Sequence, residues 1–79
     1  MYTISATQEP SLVQTVVSTV TMAGKYLDRS GARFLIGRGD VIVNGLKIKD
    51  VGMSLEPGLY TMRIQGHLYD IELEAVEKE

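Results

Sequence analysis

The chain contains no cysteine, which removes disulfides and thiolate metal sites together. It has one histidine, His67, so a multi-histidine metal cluster is excluded as well. No apolar run approaches the roughly 18–20 residues that span a bilayer, and the N-terminus lacks a signal-peptide pattern. A cytoplasmic protein without a membrane contact, a metal or a cofactor is therefore expected. The glycines form no phosphate-binding fingerprint, because Gly37-Arg38-Gly39 follows a helical pattern and precedes a strand pattern, the reverse of the required order. Internal repeats and low-complexity stretches are absent. His67 has Asp70 near it in sequence but no carboxylate–nucleophile arrangement around it, so no enzyme is expected.

What remains is a chain of 79 residues, 44% of them apolar, which suits one small domain with a modest core. We place that core at residues 11–74 and expect 75–79 to fray as an acidic tail. The net charge of −2 conceals a strong asymmetry. Between residues 25 and 49, six basic side chains (Lys25, Arg29, Arg33, Arg38, Lys47, Lys49) oppose Asp28 and Asp40, a local balance of +4. From residue 70 onward five carboxylates oppose Lys78, a balance of −4. Such a division suits an anionic partner on one face.

The periodicities give the elements. Tyr2, Ile4 and Ala6 alternate with small polar residues, as in a short edge strand. Ser11 and Gln14 then fit a capping box. At 100° per residue, Leu12, Val13, Val16, Val17, Val20 and Ala23 share one arc of about 140°. Gln14, Thr15, Ser18, Thr19 and Thr21 fall on the opposite side, with Met22 the exception. This predicts a helix over 11–23 closed by Gly24. Lys25-Tyr26-Leu27 is a short connector, and Asp28 is suited to cap a second helix. On that helix Ala32, Leu35 and Ile36 face the core. Arg33, Phe34, Gly37 and Arg38 point the other way, with Arg29 at the boundary.

Gly39 ends the second helix and Val41-Ile42-Val43 starts a strand. Asn44-Gly45 predicts a type I′ hairpin turn, returning through Leu46, Lys47, Ile48 and Lys49. After a connection over 50–56, Pro57-Gly58 marks a turn, 59–64 a strand, Gln65-Gly66-His67 another turn and 68–73 the last strand. Tyr69, Ile71 and Leu73 should face inward there, with Asp70, Glu72 and Glu74 outward. The order is β-α-α-β-β-β-β: an α+β fold with two helices on one face of a small, mostly antiparallel sheet.

Asp28-Arg29-Ser30-Gly31-Ala32-Arg33, followed by Ile36, Gly39, Val41, Val43, Asn44 and Gly45 and later by Pro57-Gly58, resembles the S-four RNA-binding domain, also called the alpha-L motif. The resemblance covers residues 11 to about 65. The closing Met62-Arg63-Ile64-Gln65-Gly66-His67-Leu68-Tyr69 is similar to the C-terminal S-four domain of bacterial-type tyrosyl-tRNA synthetases. It implies a translation-related module that holds structured RNA, whether rRNA, tRNA or mRNA, with basic residues on the second helix and the adjoining hairpin. Arg29 and Arg33 match the motif's two basic residues, and Lys47 and Lys49 its basic hairpin. Gly31 departs from the usual Glu or Gln, and Phe34 stands where Arg, Lys or Gln is common.

The candidate RNA-binding residues are thus Arg29, Arg33, Phe34, Arg38, Lys47 and Lys49. The basic ones supply phosphate contacts, and Phe34 offers a ring on which an unpaired base can stack. Aromatic and arginine side chains also dominate protein interfaces, so Arg33, Phe34 and Arg38 suit a protein-interaction adaptor that retains the fold. The outward carboxylates of the last strand suit phosphate mimicry, and an open strand edge suits pairing of two copies. A purely structural Phe34 would be covered by the N-terminal segment or by Met22.

Overall fold

Ser11 and Asp28 each fix where a helix begins. In the computed structural model, which describes residues 1–6 and 10–75, the Gln14 amide donates to Ser11 Oγ at 3.1 Å and the Gly31 amide to Asp28 Oδ1 at 2.7 Å. These bonds satisfy amides that the first helical turn leaves without partners. Helix α1 runs Leu12–Met22 and helix α2 Arg29–Gly37. The return arm of the capping box, from the Gln14 side chain, is not formed among the described residues. Instead the Leu12 amide donates to the Met53 carbonyl at 2.7 Å and the Leu55 amide to the Pro10 carbonyl at 3.0 Å. The connection over 50–56 therefore clasps the entry to α1, and Leu55 is buried with the core.

Both helices stop in the same way. Gly24 and Gly39 adopt φ +86° and +85°, the left-handed conformation that glycine takes without a Cβ penalty. The amide after each glycine reaches back to the helix, Lys25 to the Val20 carbonyl at 3.1 Å and Asp40 to the Leu35 carbonyl at 2.9 Å. Each helix thus ends in a Schellman motif, and the second delivers the chain directly into a strand.

The five strands are β1 (Tyr2–Ala6), β2 (Val41–Val43), β3 (Leu46–Lys47), β4 (Gly58–Ile64) and β5 (His67–Ala75). They form one mixed sheet in the order β1-β5-β4-β2-β3. β1 lies at an edge, parallel to β5, while the other three pairings are antiparallel. The fold is α+β, with the expected element order.

Several boundaries differ from expectation. β3 ends at Lys47 rather than Lys49, although the Ile48 amide still donates to the Val41 carbonyl at 3.2 Å. Beyond it the Asp50 carboxylate accepts from the Gly52 amide at 2.9 Å and turns the chain away. The second hairpin uses only Gln65 and Gly66, at φ +51° and +80°, so His67 opens β5 opposite Ile64 instead of sitting in the turn. Ala75, expected to begin a frayed tail, instead pairs with Ala6; the rest of that tail, residues 76–79, lies outside the described residues. The core also begins before residue 11, because the β1–β5 pairing carries Ile4 into it beside Leu73.

The largest departure is on α1. Thr15 and Thr19, expected on the polar side, are both 0% exposed. Each hydroxyl donates to the carbonyl one turn back, Thr15 to Ser11 at 3.0 Å and Thr19 to Thr15 at 2.8 Å. With the hydroxyl satisfied inside the helix, the remaining methyl packs as a valine methyl would. Thr19→Val is accordingly expected to change stability by less than about 1 kcal/mol, since no partner outside α1 loses a bond. Thermal unfolding checks this: a fall in Tm of ten degrees or more would mean that the hydroxyl serves another group.

Candidate nucleic-acid interface

Helix α2 owes its two faces to burial. Ala32, Leu35 and Ile36 are buried, whereas Arg29, Arg33, Phe34, Gly37 and Arg38 are exposed. Gly31 is accounted for by packing at the helix start. A methyl there would stand 2.8 Å from Leu27 Cδ1 and 3.1 Å from Asp28 Oδ1. The missing side chain lets Leu27 lie against the first turn and join the core margin.

Basic residues gather at the other end of α2. Gly39 is buried, and a methyl on it would stand 3.0 Å from Lys47 Cδ and 3.3 Å from Lys49 Cε. The stems of both lysines therefore pass beside Gly39, in the turn that leads from α2 into β2. Beside them Arg38 Nε donates to Asp40 Oδ2 at 2.7 Å, and the Arg38 guanidinium carbon sits 5.3 Å from the Phe34 ring centroid. Lys47, Lys49 and Arg38, three of the six residues expected from the sequence, thus gather around Gly39, and Arg38 reaches back to a fourth, Phe34. Arg29 and Arg33 continue the positive charge toward the start of the helix. Among the described residues these two arginines and the two lysines form no ion pair.

Phe34 remains 64% exposed, so neither the described N-terminal residues nor Met22 cover it. Packing within the chain leaves its place on the surface unexplained.

Arg63 lies in a cross-strand row with Lys47 and was not among the expected residues. The strand registers pair Lys47 with Ile42, Ile42 with Arg63, and Arg63 with Leu68. These four side chains form a row across the face of the sheet opposite the helices. Ile42, Gly45, Thr61, Arg63 and Leu68 line a shallow groove there. Asn44 locks the hairpin against β4, since its amide donates to the Thr61 carbonyl and its Oδ1 accepts from the Thr61 amide, both at 2.8 Å. Alternation alone places Arg63 outward on its strand. Only the long-range β2–β4 pairing places it beside the hairpin.

That outer face is polarised. Lys47 lies toward the β3 edge, while Asp70, Glu72 and Glu74 stand on β5 toward β1. A polyanion is attracted to one end of the sheet and repelled from the other. His67 is exposed at the start of β5. The described residues contain no cluster of three metal-ligating side chains and no helix long and apolar enough to cross a membrane.

A scan against protein-family models and a search of curated proteins returned no match.

Proposed function

We propose that this chain is a small, cytoplasmic, non-catalytic module of S-four type that grips structured RNA through α2 and the β2–β3 hairpin. The observation that carries the reading is the approach of the hairpin lysine stems to Gly39, in the turn that follows the helix bearing Arg29 and Arg33. Two basic segments separated in sequence meet at that turn, and the acidic residues of β5 lie toward the opposite edge of the sheet. The resemblance of residues 28–45 to the alpha-L motif supports the same assignment, and ribosomal, transfer and messenger RNA are its candidate targets.

Arg29, Arg33, Lys47 and Lys49 supply the phosphate contacts. Four such contacts give a slope of roughly −3 to −4 in a plot of log affinity against log salt. Affinity should then fall about a hundredfold between 50 and 200 mM salt. Filter binding to bulk cellular RNA at low salt tests the proposal, and undetectable binding there rules it out. Arg33→Glu, on an exposed helix face, should weaken binding roughly tenfold and flatten the salt slope by about one.

The exposure of Phe34 also favours a second reading, a protein adaptor using Arg33, Phe34 and Arg38. It is distinguished by a salt-tolerant protein partner whose recovery survives RNase treatment and is lost in Phe34→Ala.

A further inference from the structure

We infer that Asp40, Arg38 and Phe34 form a prebuilt platform on which one unpaired RNA base stacks, and that Arg38 is a positioning residue within it rather than a phosphate anchor. The inference rests on the RNA-binding reading and narrows its target to RNA presenting a single-stranded or looped nucleotide. The three side chains form a relay. Asp40 is half-buried at the start of β2, and its Oδ2 accepts from Arg38 Nε at 2.7 Å, which holds the guanidinium in one place. That guanidinium lies over the Phe34 ring, 5.3 Å from its centroid, an arrangement favoured by attraction between the cation and the ring quadrupole. The ring is braced on one side and still 64% exposed.

The surface beside the ring is open as well. Gly37, one turn after Phe34 on the same side of α2, has nothing within 4 Å of where its Cβ would stand. A planar base could rest against the free part of the ring with its edge over this bare ledge. Arg33, four residues before Gly37, is placed to meet the phosphate of the same nucleotide. Arg38 contributes less electrostatically, because Asp40 already answers its charge. A stacked base requires a flat, braced surface and no particular hydrogen-bond pattern, so this platform selects for an unpaired nucleotide rather than a base identity.

The test compares two probes against the full chain: a short RNA stem closed by an unpaired loop, and the same stem as a blunt duplex. Phe34→Ala should weaken binding of the looped probe roughly five- to hundredfold and leave the duplex and the salt slope unchanged. Phe34→Tyr should restore looped-probe binding. Arg38→Met should weaken the looped probe without flattening the salt slope, unlike Arg33→Glu. Gly37→Gln keeps the helix at least as stable, because glycine is the poorer helix former, yet it covers the ledge and should reduce looped-probe affinity. Unchanged looped-probe binding in Phe34→Ala, with Arg33→Glu still weakened, overturns the platform and leaves the RNA reading standing. A salt slope flattened by about one in Arg38→Met overturns the positioning role of Arg38. Failure of the unaltered chain to bind either probe removes the RNA reading itself.

Discussion

Ile36→Ala should lower the stability of this domain by about 2–5 kcal/mol, with a fall in Tm of roughly 4–8 °C for each kcal/mol lost. Ile36 is 0% exposed and sits on the core face of α2, between Ala32 and the Schellman turn at Gly39. Truncation removes buried methylene and methyl groups and leaves a cavity that its neighbours fill only in part. A chain of 79 residues is expected to hold about 4–12 kcal/mol in total, so this one change consumes a large share. The consequence reaches the candidate site because Ile36 anchors the helix that displays Arg33 and Phe34, three and two residues earlier. Urea or thermal unfolding measures the effect. A loss under about 1 kcal/mol would indicate that α2 is not docked on the sheet as described.

What could be read from the sequence follows the range of each signal. Ser11, Gly24, Asp28, Gly39 and Asn44-Gly45 act on backbone groups within a few residues, and each took the expected role. The inward alternation of Ile71 and Leu73 was equally legible, since a strand with one covered face records it directly. Thr15 and Thr19 misled because threonine presents a methyl or a hydroxyl according to whether the helix backbone takes the hydroxyl. The clasp between 50–56 and the start of α1 uses backbone bonds, which leave no side-chain signature. The parallel pairing of β1 with β5 joins the two ends of the chain, and nothing local announces it.

The same distinction runs through the candidate site. All six of its residues could be selected by type and by local charge, but their grouping could not. Phe34 and Arg38 are four apart on one helix, so their contact follows from helical spacing. The approach of Lys47 and Lys49 to Gly39, and the row that brings in Arg63, depend on how the hairpin folds back against α2 and β4. The sequence therefore showed which groups were available, and the tertiary fold showed which of them lie together.

Gly39→Val should damage stability and, on the RNA-binding proposal, RNA affinity by two separable routes. At φ +85° a β-branched residue is strained, with a backbone cost of about 1–2 kcal/mol before any contact is counted. Its Cβ would also stand 3.0 Å from Lys47 Cδ and 3.3 Å from Lys49 Cε. Both are parts of flexible side chains, so the lysines would swing away rather than block folding. Together the two effects should cost roughly 2–3 kcal/mol, measured by urea unfolding. On the RNA-binding proposal, affinity should fall several-fold at temperatures where the variant is still folded, because the two ammonium groups leave their place beside Gly39. Gly39→Asn separates the routes. Asparagine tolerates the left-handed conformation, so most of the stability should return. Its Cβ still displaces the lysines, so the affinity should not. If Gly39→Asn binds RNA as tightly as the unaltered chain, the lysines do not need their place beside Gly39, and the proposed role of that approach fails.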